Sequence, residues 1–147
     1  MTEKIKLTSD EFRLISLFQS ISGATAKDCI IDDKMNRVIF VVNIGDMGLA
    51  IGKNGQSIKT LEKLIGKPVE LVEYSQDPKE FIGNALNRRY ICDIRLTEKL
   101  DGSKMGVIVV SRRHKGAAVG KGGKNAEKVR LLAKRYFQID KIHIVAH

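Results

Sequence analysis

The chain contains no tryptophan, only two cysteines, only two prolines and few aromatic residues (5%). Cys29 and Cys92 stand far apart and form no C-x-x-C pair, which argues against a zinc or dithiol redox motif and suits a reducing compartment. Both are expected to be small core residues. His114, His143 and His147 show no ligand spacing with cysteine or acidic residues, so no metal site is expected. No apolar run approaches the roughly 20 residues of a membrane span, and the stretch from Met1 to Lys6 has no apolar signal region. A cytoplasmic protein with no membrane partner is the expectation. No nucleophile–base set and no paired carboxylates stand out, and Asp32-Asp33 reads as a turn. Neither an enzyme nor a bound cofactor is expected.

Apolar residues make up 43% of the 147 positions, enough for folded cores. The net charge of +9 is unevenly placed. Residues 1–70 hold 10 Lys/Arg against 9 Asp/Glu, net +1, and residues 71–147 hold 16 against 8, net +8. A positive field confined to one part of a small protein is the electrostatic footprint of a nucleic-acid binder.

The strongest signal is a repeat. Val41-Val42-Asn43-Ile44-Gly45-Asp46-Met47-Gly48-Leu49-Ala50-Ile51-Gly52-Lys53-Asn54-Gly55 aligns without a gap on Val109-Val110-Ser111-Arg112-Arg113-His114-Lys115-Gly116-Ala117-Ala118-Val119-Gly120-Lys121-Gly122-Gly123, 68 positions later. Such self-similarity points to two copies of one small unit.

Element patterns agree. Thr8 and Glu11 have capping-box spacing ahead of the stripe Leu14, Leu17, Phe18 and Ile21, and Gly23 ends that helix. Cys29–Ile31 and Val38–Val42 read as a strand hairpin around a polar turn over Asp32–Arg37. A short helix over Asp46–Ile51 leads to the first glycine loop. A helix carrying Ile58, Leu61, Leu64 and Ile65 follows, then a strand over Val69–Val72. The order recurs after Asp77-Pro78. It gives a helix with Phe81, Ile82, Ala85 and Leu86, a strand within Tyr90–Leu96, and the turn Asp101-Gly102-Ser103. A strand over Gly106–Val110, a short helix over His114–Val119 and the second loop come next. A helix with Ala126, Val129, Leu132, Ala133 and Tyr136 and a strand over Ile142–Val145 end the order. Both halves read α-β-β-α-loop-α-β, with domains expected at 1–75 and 76–147.

Glycine allows sharp turns and close backbone approach, and the following helix presents N–H groups and a positive dipole end. With Lys53 or Lys121 added, each loop suits a phosphodiester chain. The nucleotide-hydrolysis motif G-x-x-x-x-G-K-[ST] fails here. Met47 and Lys115 occupy its first position, and Asn54 and Gly122 follow the lysines. The dinucleotide fingerprint G-x-G-x-x-G fails at Asn125.

An apolar strand, a short helix ending in Ile51-Gly52-Lys53-Asn54-Gly55 and a second helix resemble the KH domain, whose G-x-x-G loop clamps about four nucleotides of single-stranded nucleic acid. The element order resembles its type II, prokaryotic form. The resemblance implies an α+β fold of two tandem type II KH domains, each a three-stranded sheet covered by helices. Two such domains joined at Asp77-Pro78 resemble NusA, a family of transcription termination and antitermination factors, in its stand-alone archaeal form. The resemblance implies single-stranded RNA as partner and RNA polymerase or the transcribing complex as a second. It places RNA contacts at Gly52, Lys53, Asn54 and Gly55 and at Gly120, Lys121, Gly122 and Gly123, over an apolar floor of Ile51 and Val119. Arg112, Arg113 and Lys115, together with Lys124 and Lys128, read as a basic patch that guides phosphates to the second loop. Phe12, Phe18, Phe40 and Phe81 fall in core patterns rather than on a stacking surface. Two other readings stay open: a ribosome-associated KH protein and an RNA-processing enzyme.

Overall fold

The computed structural model describes residues 5–147, so Met1–Lys4, part of the stretch read above for a signal, lie outside the described residues. The chain divides into two compact units, one over Ile5–Tyr74 and one over Ser75–His147. Ser75 goes with the second because its hydroxyl donates to Glu80 Oε2 at 3.1 Å and accepts from the Asp77 N–H at 3.1 Å. Among the described residues, no helix is long and apolar enough to cross a membrane.

The N-terminal unit opens with helix α1 (Ser9–Ser22). Its capping box is formed at both ends: Thr8 Oγ1 accepts from the Glu11 N–H, and Glu11 Oε1 accepts from the Thr8 N–H. Gly23, left-handed at φ 76°, closes it. Strand β1 (Ala26–Asp32) pairs antiparallel with β2 (Arg37–Val42). Helices α2 (Met47–Ile51) and α3 (Gln56–Ile65) flank the first glycine loop, and β3 (Val69–Glu73) returns parallel to β2. The order β1-β2-β3 puts β2 in the centre, and all six of its residues are buried. Phe18 of α1 stacks on Phe40 of β2 with ring centroids 4.7 Å apart. Ala50, Leu61 and Val69 complete this core. Two apolar residues expected in the core face water: Phe12 is 58% and Leu64 59% exposed. Phe12 precedes the buried face by two positions and Leu64 follows Leu61 at the margin of an amphipathic helix, where apolar character alone does not decide burial.

The expected turn over Asp32–Arg37 is anchored by its two ends. These residues form the last cross-strand pair of β1 and β2 and are buried. Arg37 Nε donates to Asp32 Oδ2 at 2.8 Å, and Nη1 donates to Glu70 Oε2 at 2.9 Å. Burial disfavours the guanidinium charge, but the hydrogen bonds to Glu70 and Asp32 outweigh it and hold the Arg37 pKa above its ordinary value.

The C-terminal unit repeats the order. Helix α4 (Pro78–Ala85) has Asp77 as N-cap, accepting from the Lys79 N–H, and Pro78 in its first turn. Strand β4 (Ile91–Glu98) pairs antiparallel with β5 (Lys104–Val110). Helices α5 (Lys115–Val119) and α6 (Lys124–Phe137) flank the second loop, and β6 (Lys141–Ala146) runs parallel to β5. Phe81 of α4 meets Phe137 of α6 edge-on at 5.8 Å, and Val129, Leu132 and Ala133 of α6 are buried with Ile108 and Ile142 of the sheet.

Both first strands carry a register shift, between Ala26 and Asp28 in β1 and between Ile91 and Asp93 in β4. The extra residues are Lys27 and Cys92. A bulged residue is pushed out of the ladder, and Cys92 is exposed, while Cys29 within the regular ladder is fully buried. The expectation of two core cysteines therefore holds for Cys29 alone.

Candidate nucleic-acid interface

Each glycine loop leaves a five-residue helix and enters a longer one. The two loops share one backbone path. Gly52 lies at φ 79°, ψ 169° and Gly120 at φ 83°, ψ 161°. That region is open in practice to glycine only. The third positions, Asn54 (φ 57°, ψ 27°) and Gly122 (φ 66°, ψ 14°), are left-handed, as are the fourth, Gly55 (φ 72°, ψ 18°) and Gly123 (φ 79°, ψ 17°). Asparagine is one of the few residues other than glycine that accepts this conformation, which accounts for the single difference between the loops.

Close packing makes a second demand on the first glycine. A Cβ on Gly52 would lie 2.8 Å from the Ser57 backbone nitrogen, and one on Gly120 would lie 3.0 Å from the Asn125 and Lys124 side chains. No atom comes within 4 Å of a Cβ built on Gly122 or Gly123. The outer half of the second loop is thus open, whereas a Cβ on Gly55 of the first would touch Lys59 Cε at 3.8 Å and Ile58 Cγ2 at 3.9 Å; in both loops the inner glycine seats the loop on the following helix.

Neither α3 nor α6 has a side-chain N-cap. Their first turns therefore keep donor groups and a positive dipole end beside the loop, where a phosphate oxygen is favoured. Asn125 Nδ2 donates to the Ala117 carbonyl at 3.3 Å and ties α6 to α5. In the other unit Lys59 Nζ donates to the Asn54 carbonyl at 3.3 Å.

The side chains around the two loops differ. Lys53 and Asn54 are exposed, and Gly52 and Gly55 are half-buried. Around them Ile44, Leu49 and Ile51 are 67%, 54% and 42% exposed. At the positions equivalent by the 68-residue repeat stand Arg112, Ala117 and Val119. Arg112, Arg113, Lys115, Lys121, Gly122 and Lys124 are exposed, while Val119, Gly120, Gly123 and Lys128 are half-buried. Loop and basic turn thus lie at the two ends of the short α5, with Lys124 opening α6 and Lys128 one turn further on.

Sequence reasoning missed Arg88-Arg89-Tyr90, a single helical turn before β4. The Tyr90 ring stacks on His114 with centroids 5.0 Å apart and an interplanar angle of 27°. Pairing of Ile91 with Val110 puts the residues before β4 beside those after β5. The signal was present as a basic-aromatic run, but its register against Ser111–Lys115 is set by the sheet.

The arrangement defines a class, KH-type nucleic-acid-binding folds. A family model described as KH domain matches residues 13–97, from α1 into β4, and so includes the first glycine loop. The chain also belongs to the NusA family. It is 36% identical over 140 residues to "Probable transcription termination protein NusA" of Halobacterium salinarum, covering 95% of this chain and 98% of that protein. The protein of the same name from Methanocaldococcus jannaschii is 34% identical over 142 residues, covering 97% of this chain and 76% of that protein. Among solved structures, "Crystal structure of APE1850" superposes with a TM-score of 0.85 at 44% identity, covering 94% of this chain and 99% of that one.

Proposed function

We propose that the chain is an RNA-binding factor of transcription elongation, termination and antitermination, built as two tandem type II KH domains over residues 1–75 and 76–147. Each domain clamps single-stranded RNA at its glycine loop. The observation that carries this reading is the coincidence of two loop backbones, position by position, in units of the same element order and sheet topology.

The work of each loop follows from its geometry. The first glycine brings the loop backbone against the next helix. The third and fourth positions turn the chain through the left-handed region, so that a sugar–phosphate backbone can lie close on the loop, beside the exposed Asn54 side chain in the first loop and over Gly122, which has no Cβ, in the second. The uncapped helix start and Lys53 or Lys121 balance the phosphate charge. Ile51 and Val119 lie under the bases. Such a site binds and positions RNA, and no bond is made or broken. RNA polymerase or the transcribing complex is the second partner in this reading. The names of the relatives favour it over a ribosomal role.

Filter binding with single- and double-stranded RNA of equal length tests the proposal. Bases must be splayed out to enter the groove, so the single strand is expected to bind more tightly. Equal or tighter binding of the duplex contradicts it.

A further inference from the structure

The stacked pair of Tyr90 and His114 lies outside the glycine loop and its helices. It forms where the start of β4 meets the turn after β5. Ser111 Oγ lies 2.8 Å from His114 Nδ1, which fixes the imidazole ring, and the His114 N–H donates to the Ser111 carbonyl at 2.9 Å. Asn87 Oδ1 accepts from the Arg89 N–H at 3.0 Å and fixes the turn that carries Tyr90. The rings are half-buried, and Arg89, Arg112 and Arg113, within two residues of them in the chain, are exposed. Arg88 is engaged within its own unit instead. Its Nη2 donates to the Glu80 carbonyl at 3.2 Å and to Asn84 Oδ1, which closes α4.

The N-terminal unit has the same junction with other chemistry. There the Thr25 N–H donates to Asp46 Oδ2 at 2.9 Å. Thr25 stands one residue before β1 as Tyr90 stands one before β4, and Asp46 matches His114 in the repeat. The fold needs only a small polar lock at this point. In the C-terminal unit the lock is two stacked rings, with three exposed arginines within two residues of them in the chain. Such rings and arginines are the groups that hold single strands by stacking and phosphate contact.

We propose that Arg89, Tyr90 and His114, with Arg112 and Arg113, form an additional single-stranded RNA contact beside the second glycine loop. One base stacks on the Tyr90–His114 pair, and Arg89 meets the adjoining phosphate. The inference rests on RNA binding at that loop and extends the RNA path beyond the nucleotides held there.

Fluorescence anisotropy of the full chain with single-stranded RNAs of about 4 and about 10 nucleotides tests it, since about four fill one loop. Tyr90→Leu is expected to weaken binding of the longer RNA about fivefold or more through lost stacking. Arg89→Ala is expected to make its salt slope shallower by about 0.7. Both variants are expected to bind the shorter RNA within about twofold of wild type. In the unmodified chain, the His114 ring signals in NMR spectra are expected to shift with the longer RNA and not with the shorter, a readout that does not depend on a variant folding. Wild-type affinity of both variants for the longer RNA, or equal losses on both RNAs, overturns the proposal while loop binding stands. If the unmodified chain binds neither RNA, the reading of the loops falls and this inference with it.

Discussion

The two units share a backbone plan and differ in what surrounds the plan. At the first loop the flanking positions are Ile44, Met47, Leu49 and Ile51; at the second they are Arg112, Lys115, Ala117 and Val119. Three of these side chains at the first loop are exposed and apolar, with Met47 packed against the core, and at the second two of the four are cations. The N-terminal hairpin is closed by the buried pair Asp32–Arg37, whereas the last pairs of β4 and β5 are Thr97–Met105 and Glu98–Lys104, with Thr97 and Glu98 exposed and Met105 and Lys104 half-buried. The loop geometry is therefore the repeated requirement, and the means of attraction is free to vary. In the proposed function, apolar contact at the first loop gives affinity that salt weakens less than the charge-based affinity at the second.

The largest effect is expected where the units differ in their cores. Arg37→Ala leaves Asp32 and Glu70 without their buried cation and is expected to cost about 3–5 kcal/mol of stability, read by urea unfolding. A loss below about 1 kcal/mol denies that the ion cluster holds the N-terminal hairpin. Next comes the loop exchange. Lys121→Asp with Gly122→Asp is expected to lower RNA affinity at least about tenfold, ~1.4 kcal/mol, with an unchanged circular dichroism spectrum. Gly122→Asn reproduces the first loop at an open left-handed position and is expected to change affinity within about threefold. Equal losses from the two changes contradict the equivalence of the loops. Ala substitution of the inner glycines sharpens the packing difference. Gly52→Ala meets the Ser57 backbone and Gly120→Ala meets the Asn125 and Lys124 side chains, so both are expected to destabilise by about 1–3 kcal/mol, with Gly52→Ala the more severe. The smallest effect concerns acid. Asp140 accepts from Lys134 Nζ at 2.7 Å and from the Lys104 N–H at 3.0 Å, which holds its carboxyl below the usual range. Its contribution is present above the unfolded value of about 3.9 and is lost as pH falls through the lower folded value. Asp140→Asn is expected to melt below wild type at pH 6 and with it at pH 2; a gap that persists at pH 2 removes the carboxylate as its cause.

Much of this was legible in the sequence because the carriers are local. The Thr8–Glu11 capping box, the Asp77-Pro78 helix start, the glycine loops and the 68-residue repeat are patterns within a few residues or within one alignment. What escaped depends on pairing between strands. Cys92 reads as a core residue until the bulge in β4 ejects it. Asp32 and Arg37 read as ordinary turn residues until the register makes them partners. Tyr90 reads only as a strand start until Ile91 pairs with Val110 and brings its ring onto His114. Phe12 and Leu64 show the remaining limit, since an apolar residue at the margin of a helix face is not thereby buried.

The central claim is that both loops hold RNA by one backbone device and two different attractions. It is tested most directly by the salt dependence of RNA affinity in two variants, each with one loop disabled. With Lys121→Asp and Gly122→Asp, binding through the first loop is expected to persist with a slope of log affinity on log salt shallower than about −1.5, as few phosphates are neutralised. With Lys53→Asp and Asn54→Asp, binding through the second loop is expected to keep a slope of roughly −3 to −4, from about 4 to 6 phosphate contacts. Equal slopes in the two variants, or no binding left in either one, contradict the account.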